Sequence, residues 1–498
     1  MRSTRLSLCL SITLIVAFTA IPAKGQTPGD NVNMVSGTKW PGGDPFLQRQ
    51  NEPALAVSTR NPGHLLAGAN DYRSVDIPNP NATDERGDAW LGVFKSLDGG
   101  ATWGSTLLPG YPQDQSATGL ASPLHGFSTA ADPLVRAGTN GLFYYSGIAF
   151  NRSNNLGEIF VARFMDLNNK ENGDASLNLD PIQYVNAVVV DSGTSGQFLD
   201  KPWIAVDVPR GTATCTIQVP QGGTTLAQTV PAGNVYIVWS RFTGSTSTKI
   251  MFSRSQDCGA SWSNAVKLSE TNSINQGTTM AIDPSTGAIF VAWRRFVASN
   301  QPDAIVSVKS TDLGHTFTKS LDVVDLPVFN AGTPNAPSFF DQGTTPGSFR
   351  TSAYPTLGVD PRGTVYLAWS QRGLATGLPD ARIAMSTSPD GLNWSASFAV
   401  DNGALSDGNQ LVLDSSGHTL SRGHQVMPQI TVIGGKLFIL YYDFREDHTI
   451  ARFLPHNPFL SDANGNFYSE DRLLEGELPN SPVQIFTPFL TEIGRAHV

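Results

Sequence analysis

Carboxylates and arginines recur in this sequence just before and just after a repeated pair of apolar runs. Ahead of the first run of each pair stand Arg49, Asn51 and Glu52, then Asp132, then Asp200 and Lys201, then Gln276, Arg350 and Tyr354, and last Arg422, His424 and Gln425. Behind the second run stand Asp71, Arg73, Arg241, Arg295, Arg372, Asp443 and Arg445. An arginine fork holds a carboxylate by two parallel hydrogen bonds, and carboxyl groups beside a sugar can share acid and base duties. A set containing both suits an acidic glycan. The same residues at strand ends can equally pair with one another and tie a scaffold together.

A repeat must position them. DKPWIAVD with GNVYIVWSRF, TTMAIDPSTGAIFVAWRRF and YPTLGVDPRGTVYLAWSQR are copies of one unit, and NEPALAV with HLLAGANDYR, ADPLVRAGTNGLFYYSG and MPQITVIGGKLFILYYDFR are weaker ones. Their anchors at Pro53, Pro133, Pro202, Thr278, Pro355 and Pro428 divide the chain into six units. Each unit has an apolar run, a turn such as Asp-Pro-Ser-Thr-Gly, and a β-branched and aromatic run, which is a hairpin pattern. KIMFSRS, AIVSVKS and ARIAMSTS read as third strands, and NAVKLS, KSLDVVD and SFAVD as fourth strands. Four antiparallel strands repeated six times give an all-β, six-bladed β-propeller. In the last blade a long Pro- and Asn-containing stretch without a recognisable Ser-x-Asp turn follows the second strand, and if the tail is non-native the expectation is that its outer strands are missing. In such a ring the charged residues collect in a central funnel on one face.

The third and fourth strands are joined by a second repeat. Ser96-x-Asp98-x-Gly100-x-Thr-Trp103 returns as Ser255, Asp257, Gly259 and Trp262, as Ser310, Asp312, Gly314 and Phe317, and, one residue shorter, as Ser388, Asp390 and Trp394. Serine and aspartate side chains bond nearby backbone N–H groups, glycine takes positive φ, and the ring packs on the blade. The pattern therefore predicts scaffolding at the outer, far edge of each blade. These boxes resemble the Asp-box, or BNR repeat, and six units carrying them resemble the sialidase-like propeller family over nearly the whole mature chain.

That resemblance implies arginines on a substrate carboxylate, an aspartate as acid/base, and a tyrosine nucleophile assisted by a glutamate. Arg350 and Arg422 resemble family arginines by position, with Arg241 and Arg295 as further substrate-binding candidates. Asp71 is the candidate acid/base, and Tyr354 and Tyr442 are candidate nucleophiles with Glu52 or Asp200 as partner. The family's Arg-Ile-Pro type motif is replaced here by RQNEP, with Arg49 displaced. The implied activity is removal of a terminal sialic acid or related acidic sugar. The alternative is a non-catalytic propeller that binds glycan or protein through the same funnel.

Residues 1–25, with Arg2 and Arg5 before the apolar stretch from Leu6 to Ala20 and a small-x-small pair at Ala23 and Gly25, read as a secretory signal peptide. No other segment is long enough to span a membrane. Export to the cell surface, the periplasm or the medium is the expectation. The leader takes three bases and no acid with it, leaving 30 basic against 42 acidic residues and a charge of -12, which argues against nucleic acid as partner. Glycans or glycoproteins are the expected partners. Cys215 and Cys258 remain, either as one disulfide or as two buried thiols. The stretches from Asp462 and from Asp166 only partly follow a calcium loop, so neither metal nor cofactor is expected. EIGRAHV, residues 492–498, matches a translated sequencing adapter, so residues 26–491 are taken as the propeller and the tail as non-native.

Overall fold

The computed structural model describes residues 34–35, 50–73, 88–153, 156–168, 180–244, 247–270, 273–296, 302–327, 352–371, 374, 381–400, 412–413, 419–420, 425–443, 450–451 and 485–486. The leader, the tail and the Asp462 stretch lie outside them.

The first unit contributes β1 (Gln50–Val57), β2 (Leu65–Asp71), β3 (Trp90–Ser96) and β4 (Gly104–Leu107), and the second β5 (Thr129–Ala137), β6 (Leu142–Phe150), β7 (Gly157–Asp166) and β8 (Ile182–Ser192). The third holds β9 (Gln197–Val206), an inserted hairpin of β10 (Thr214–Gln221) and β11 (Thr224–Pro231), then β12 (Val235–Thr243), β13 (Ser247–Ser255) and β14 (Val266–Lys267). The fourth holds β15 (Asn275–Ile282), β16 (Ile289–Arg295), β17 (Ala304–Ser310) and β18 (Leu321–Asp325), and the fifth β19 (Thr356–Val359), β20 (Val365–Gln371), β21 (Arg382–Ser388) and β22 (Phe398–Ala399). Each of these five units is one four-stranded antiparallel sheet in the order of its strands. After the short pair β23 (Val412–Leu413) and β24 (Thr419–Leu420) come the sixth hairpin, β25 (Gln425–Ile433) and β26 (Lys436–Asp443), and a second short pair, β27 (Ile450–Ala451) and β28 (Ile485–Phe486). No helix among the described residues is long and apolar enough to cross a membrane.

The core lies between successive sheets. Leu66, Trp90 and Val93 of the first sheet meet Phe143, Tyr145 and Phe160 of the second. Ile148, Ile159 and Val161 meet Ile204, Ile237 and Trp239. Val238 and Phe252 meet Val291 and Trp293, Phe290 meets Leu367 and Trp369, and Met385 meets Ile439 and Tyr441. Because middle strands are covered on both faces, β6 (LFYYSGIAF) is buried throughout and reads as a continuous apolar run. Trp90, Trp239, Trp293 and Trp369 are fully buried; truncating one such ring typically costs about 3–5 kcal/mol.

The Ser-x-Asp turns join the third and fourth strands. Ser96 lies level with Leu65 and Val57, at the far end of its sheet from Glu52. Within that turn Asp98 accepts from Ser96 Oγ at 2.8 Å, Thr102 N at 2.9 Å and Thr102 Oγ1 at 2.6 Å, and Ser96 Oγ accepts from Gly100 N at 2.8 Å. The same bonds recur around Asp257 and Asp312, and in shortened form around Asp390. Gly100, Gly259, Gly314 and Gly391 all have φ between 73° and 96°, which the turn requires. Phe317 packs edge-on against Phe252 with centroids 4.8 Å apart, and Trp103 packs on the face formed by Ala67, Ala69 and Phe94.

Cys215 and Cys258 form a disulfide with Cα atoms 6.2 Å apart, fastening the inserted hairpin to the third unit's turn. Asp166 accepts from Ser58 Oγ at 2.6 Å, His64 Nδ1 at 2.9 Å and Asn168 N at 2.9 Å, and it ties the second sheet to the first. No group of three or more potential metal ligands occurs among the described residues. Met34 and Val35 pack against the first sheet, where Val35 O accepts from Ser105 Oγ at 2.6 Å.

Candidate functional site

Five first strands enter their sheets through the same irregularity. In β1, Glu52 and Pro53 together face the single residue Ala69; Asp132–Pro133, Lys201–Pro202, Gly277–Thr278 and Met427–Pro428 do the same in β5, β9, β15 and β25. The first residue of each pair is left-handed, with φ of 53°, 59°, 48°, 71° and 55°. This conformation costs a residue with a Cβ about 1–2 kcal/mol. Such bulges re-aim side chains, and they concentrate beside functional sites. Here they turn Glu52, Asp132 and Lys201 toward one cavity of about 680 Å³, to which all six units contribute. That volume lies within the roughly 300–1,000 Å³ of small-molecule sites. Its walls include Pro53, Pro133, Pro202, Pro355 and Pro428, with Trp203 and Tyr354. At Gly277 it is Tyr354 that requires glycine, because its ring would lie 1.9 Å from any added Cβ.

The polar groups form one connected cluster. Lys201 Nζ donates to Glu52 and, at 2.9 Å, to Asp132 Oδ1, while its backbone N–H donates to Asp132 Oδ2 at 3.1 Å. Gln276 Nε2 donates to Asp200. Asn70 Nδ2 donates to Glu52 Oε2 at 3.2 Å and to Asn51 Oδ1 at 2.6 Å, and Asn70 Oδ1 accepts from Asp132 N at 2.8 Å.

Proton affinities within the cluster are split. Burial, then the hydrogen bond to and repulsion from Asp132, push Glu52 up to about 7. Burial and the charge of Asp132 push Asp200 up to about 8. Burial also works against an ionised Asp132, but Lys201 and the neighbouring acids' protons outweigh it and hold Asp132 at about 2. Lys201 stays firmly charged: burial opposes the charge, and the three carboxylates override it. The arrangement keeps one carboxylate ionised beside two that carry protons near neutrality.

The sequence candidates divide. Glu52, Asp200 and Tyr354 line the cavity. Asp71 does not: it is fully buried under Arg73, whose Nε lies 2.8 Å and Nη2 2.6 Å from Asp71 Oδ2. Neighbouring residues of a strand point to opposite faces, so Asn70, the residue before it, reaches the cluster instead. Arg241 is held by Asp191, and Arg295 is clamped by Asp322 at 2.6 and 2.8 Å, so neither lines the cavity. Tyr442 pairs with Val426 and packs into the core between the fourth and fifth sheets. Arg350 and Arg422 lie outside the described residues.

No protein-family model and no curated protein sequence matches this chain. Among solved structures it is similar to the α-L-arabinofuranosidase of Fusarium graminearum in complex with arabinobiose, at 14% identity over 80% of this chain and 90% of that one, with a TM-score of 0.42. It is also similar to the Penicillium chrysogenum α-L-arabinanase complexed with arabinobiose, at 12% identity over 79% and 89% with a TM-score of 0.38. A third similarity is to the intramolecular trans-sialidase from Ruminococcus gnavus in complex with oseltamivir carboxylate, at 13% over 80% and 90% with a TM-score of 0.35.

Proposed function

We propose that this chain is an exported, six-bladed propeller that hydrolyses glycosidic bonds at the axial cavity. The observation that carries the reading is the split of proton affinities in one hydrogen-bonded carboxyl cluster, Asp132 at about 2 beside Glu52 at about 7 and Asp200 at about 8. Groups whose environments drive their proton affinities apart mark an acid and its ionised partner. Glu52, at the mouth with 42% of its side chain exposed, protonates the leaving oxygen. Asp132, 10% exposed and held ionised by Lys201, faces the positive charge that develops on the sugar, and water then adds at the anomeric carbon and gives its proton back to the Glu52 carboxylate. Asn70 and Gln276 orient Glu52 and Asp200. The proline and aromatic walls offer apolar contact to sugar faces.

The narrower form of this reading is removal of sialic acid or a related acidic sugar with Tyr354 as attacking group. Its support is the position of Tyr354 in the cavity wall. The rival is binding without catalysis. Reducing-sugar and free sialic acid release from a panel of neutral and sialylated glycans, by the mature chain and by Glu52→Gln, separates them. Release that collapses in the variant supports the hydrolase, and free sialic acid among the products supports the narrower form. A folded protein that releases nothing while retaining glycan leaves the binding reading.

A further inference from the structure

A second axial cavity, of about 610 Å³, adjoins the first: Trp203 and Gln429 line both. Its walls are largely apolar, from Met280, Leu357, Ile430 and Phe438 among others, and the arginine that lines it among the described residues is Arg136 of β5. Most described arginines sit on a carboxylate: Arg73 on Asp71, Arg152 on Asp88, Arg210 on Asp207, Arg241 on Asp191, Arg294 on Asp303, Arg295 on Asp322 and Arg362 on Asp360. Arg136 differs. Its guanidinium lies over Trp203, 5.1 Å from the ring centroid, and among the described residues donates, at 2.9 Å, to the carbonyl of Val135.

A guanidinium offers five N–H donors in a planar fork. The contact with Trp203 holds the guanidinium in place beside the cavity, where its N–H groups can meet an acceptor. Burial disfavours the charge, drawing Arg136 down to about 10, and an anion brought alongside would relieve that. We infer that Arg136, lying over Trp203, is the anchor of an anion subsite in this second cavity, which takes a carboxylate group. Two sources carry that chemistry, an acidic sugar and a free organic acid. The inference rests on the axial site being where ligand enters; it requires no turnover there.

Isothermal titration of the mature protein with glucuronate, glucose and acetate tests it, beside Arg136→Gln, whose melting curve reports folding, and Arg136→Lys. Glucuronate is expected to bind about tenfold or more tighter than glucose, the scale of one charge-assisted hydrogen bond. That preference should vanish in Arg136→Gln and survive in part in Arg136→Lys, which keeps the charge without the fork. Acetate binding as tightly as glucuronate supports the anion subsite and assigns it to free acids. Equal affinity for glucuronate and glucose, a preference untouched by Arg136→Gln, or no binding of any of the three overturns the inference. Failure of the hydrolase reading shows separately, as absent bond cleavage with this preference intact.

Discussion

Carboxyl groups work at both ends of these sheets; the far-end turns draw theirs down, while the axial cluster holds Asp132 down and pushes Asp200 and Glu52 up. At the far end, hydrogen bonds from Thr102, its backbone and Ser96 hold exposed Asp98 down to about 2, and bonds from Thr316 and from the backbone of Asn393 draw Asp312 and Asp390 lower still. At the axial end, burial and a neighbouring charge push Asp200 and Glu52 up to about 8 and about 7. A carboxylate ringed by N–H and O–H donors is an inert brace. A carboxyl group crowded by other carboxyls around one lysine holds a proton it can give away. The carboxyl group is shared, and the balance between donors on one side and burial with neighbouring charge on the other decides the role.

The largest expected difference between the ends is catalytic. Glu52→Gln should lower kcat on an unactivated glycan by about 10²–10⁴ while the protein stays folded, whereas changes at the far end should leave kcat within a factor of two. Next comes a scaffold change: Cys215→Ser with Cys258→Ser opens a loop spanning 43 residues and should cost about 2–4 kcal/mol in denaturant unfolding with kcat retained. Smaller again, Asp257→Ala removes the bonds from Ser255 Oγ, Ser261 N and Ser261 Oγ and should cost about 1–2 kcal/mol. A far-end variant that abolished turnover without unfolding would break the division.

The shallowest effect is in pH. Asp200 is raised in the folded state, so its contribution to stability is fully present below about 4 and is lost as pH rises through about 8. Asp98 is lowered, so its contribution is present above about 4 and is lost as pH falls through about 2. Melting temperatures measured across that range should slope downward on the alkaline side, where Glu52 contributes as well, and Asp200→Asn should make that slope shallower while leaving the acid-side slope unchanged.

The repeats made the sheets legible, because continuous apolar runs ending in Trp or Tyr record strands covered on both faces, and the Ser-x-Asp pattern records the turn bonds directly. The placement of residues before the first strands also brought Glu52, Asp132, Asp200, Lys201 and Gln276 to one face. The pleat was harder to read. Asp71 and Asn70 are adjacent and only a one-residue shift separates the brace from the cluster, and Arg241 and Arg295 carry no local sign that Asp191 and Asp322, on other strands, hold them. The bulges were hidden as well, since the left-handed residues are Glu, Asp, Lys and Met in four of the five strands, where glycine would have been the visible signal. Arg136 lay within an ordinary apolar run, and only the packing shows that Trp203 comes beneath it.

The most direct test of the role proposed for the axial cluster is the pH dependence of kcat on a glycan found to be cleaved in the panel, for the wild-type protein and Glu52→Gln side by side. An acid that must be protonated, with Glu52 near 7, gives a rate that falls as pH rises through about 7, and this limb should disappear in the variant together with most of the rate. A wild-type rate flat across that range, or a falling limb that persists in Glu52→Gln, would contradict the assignment of Glu52 and with it the catalytic role of the cluster.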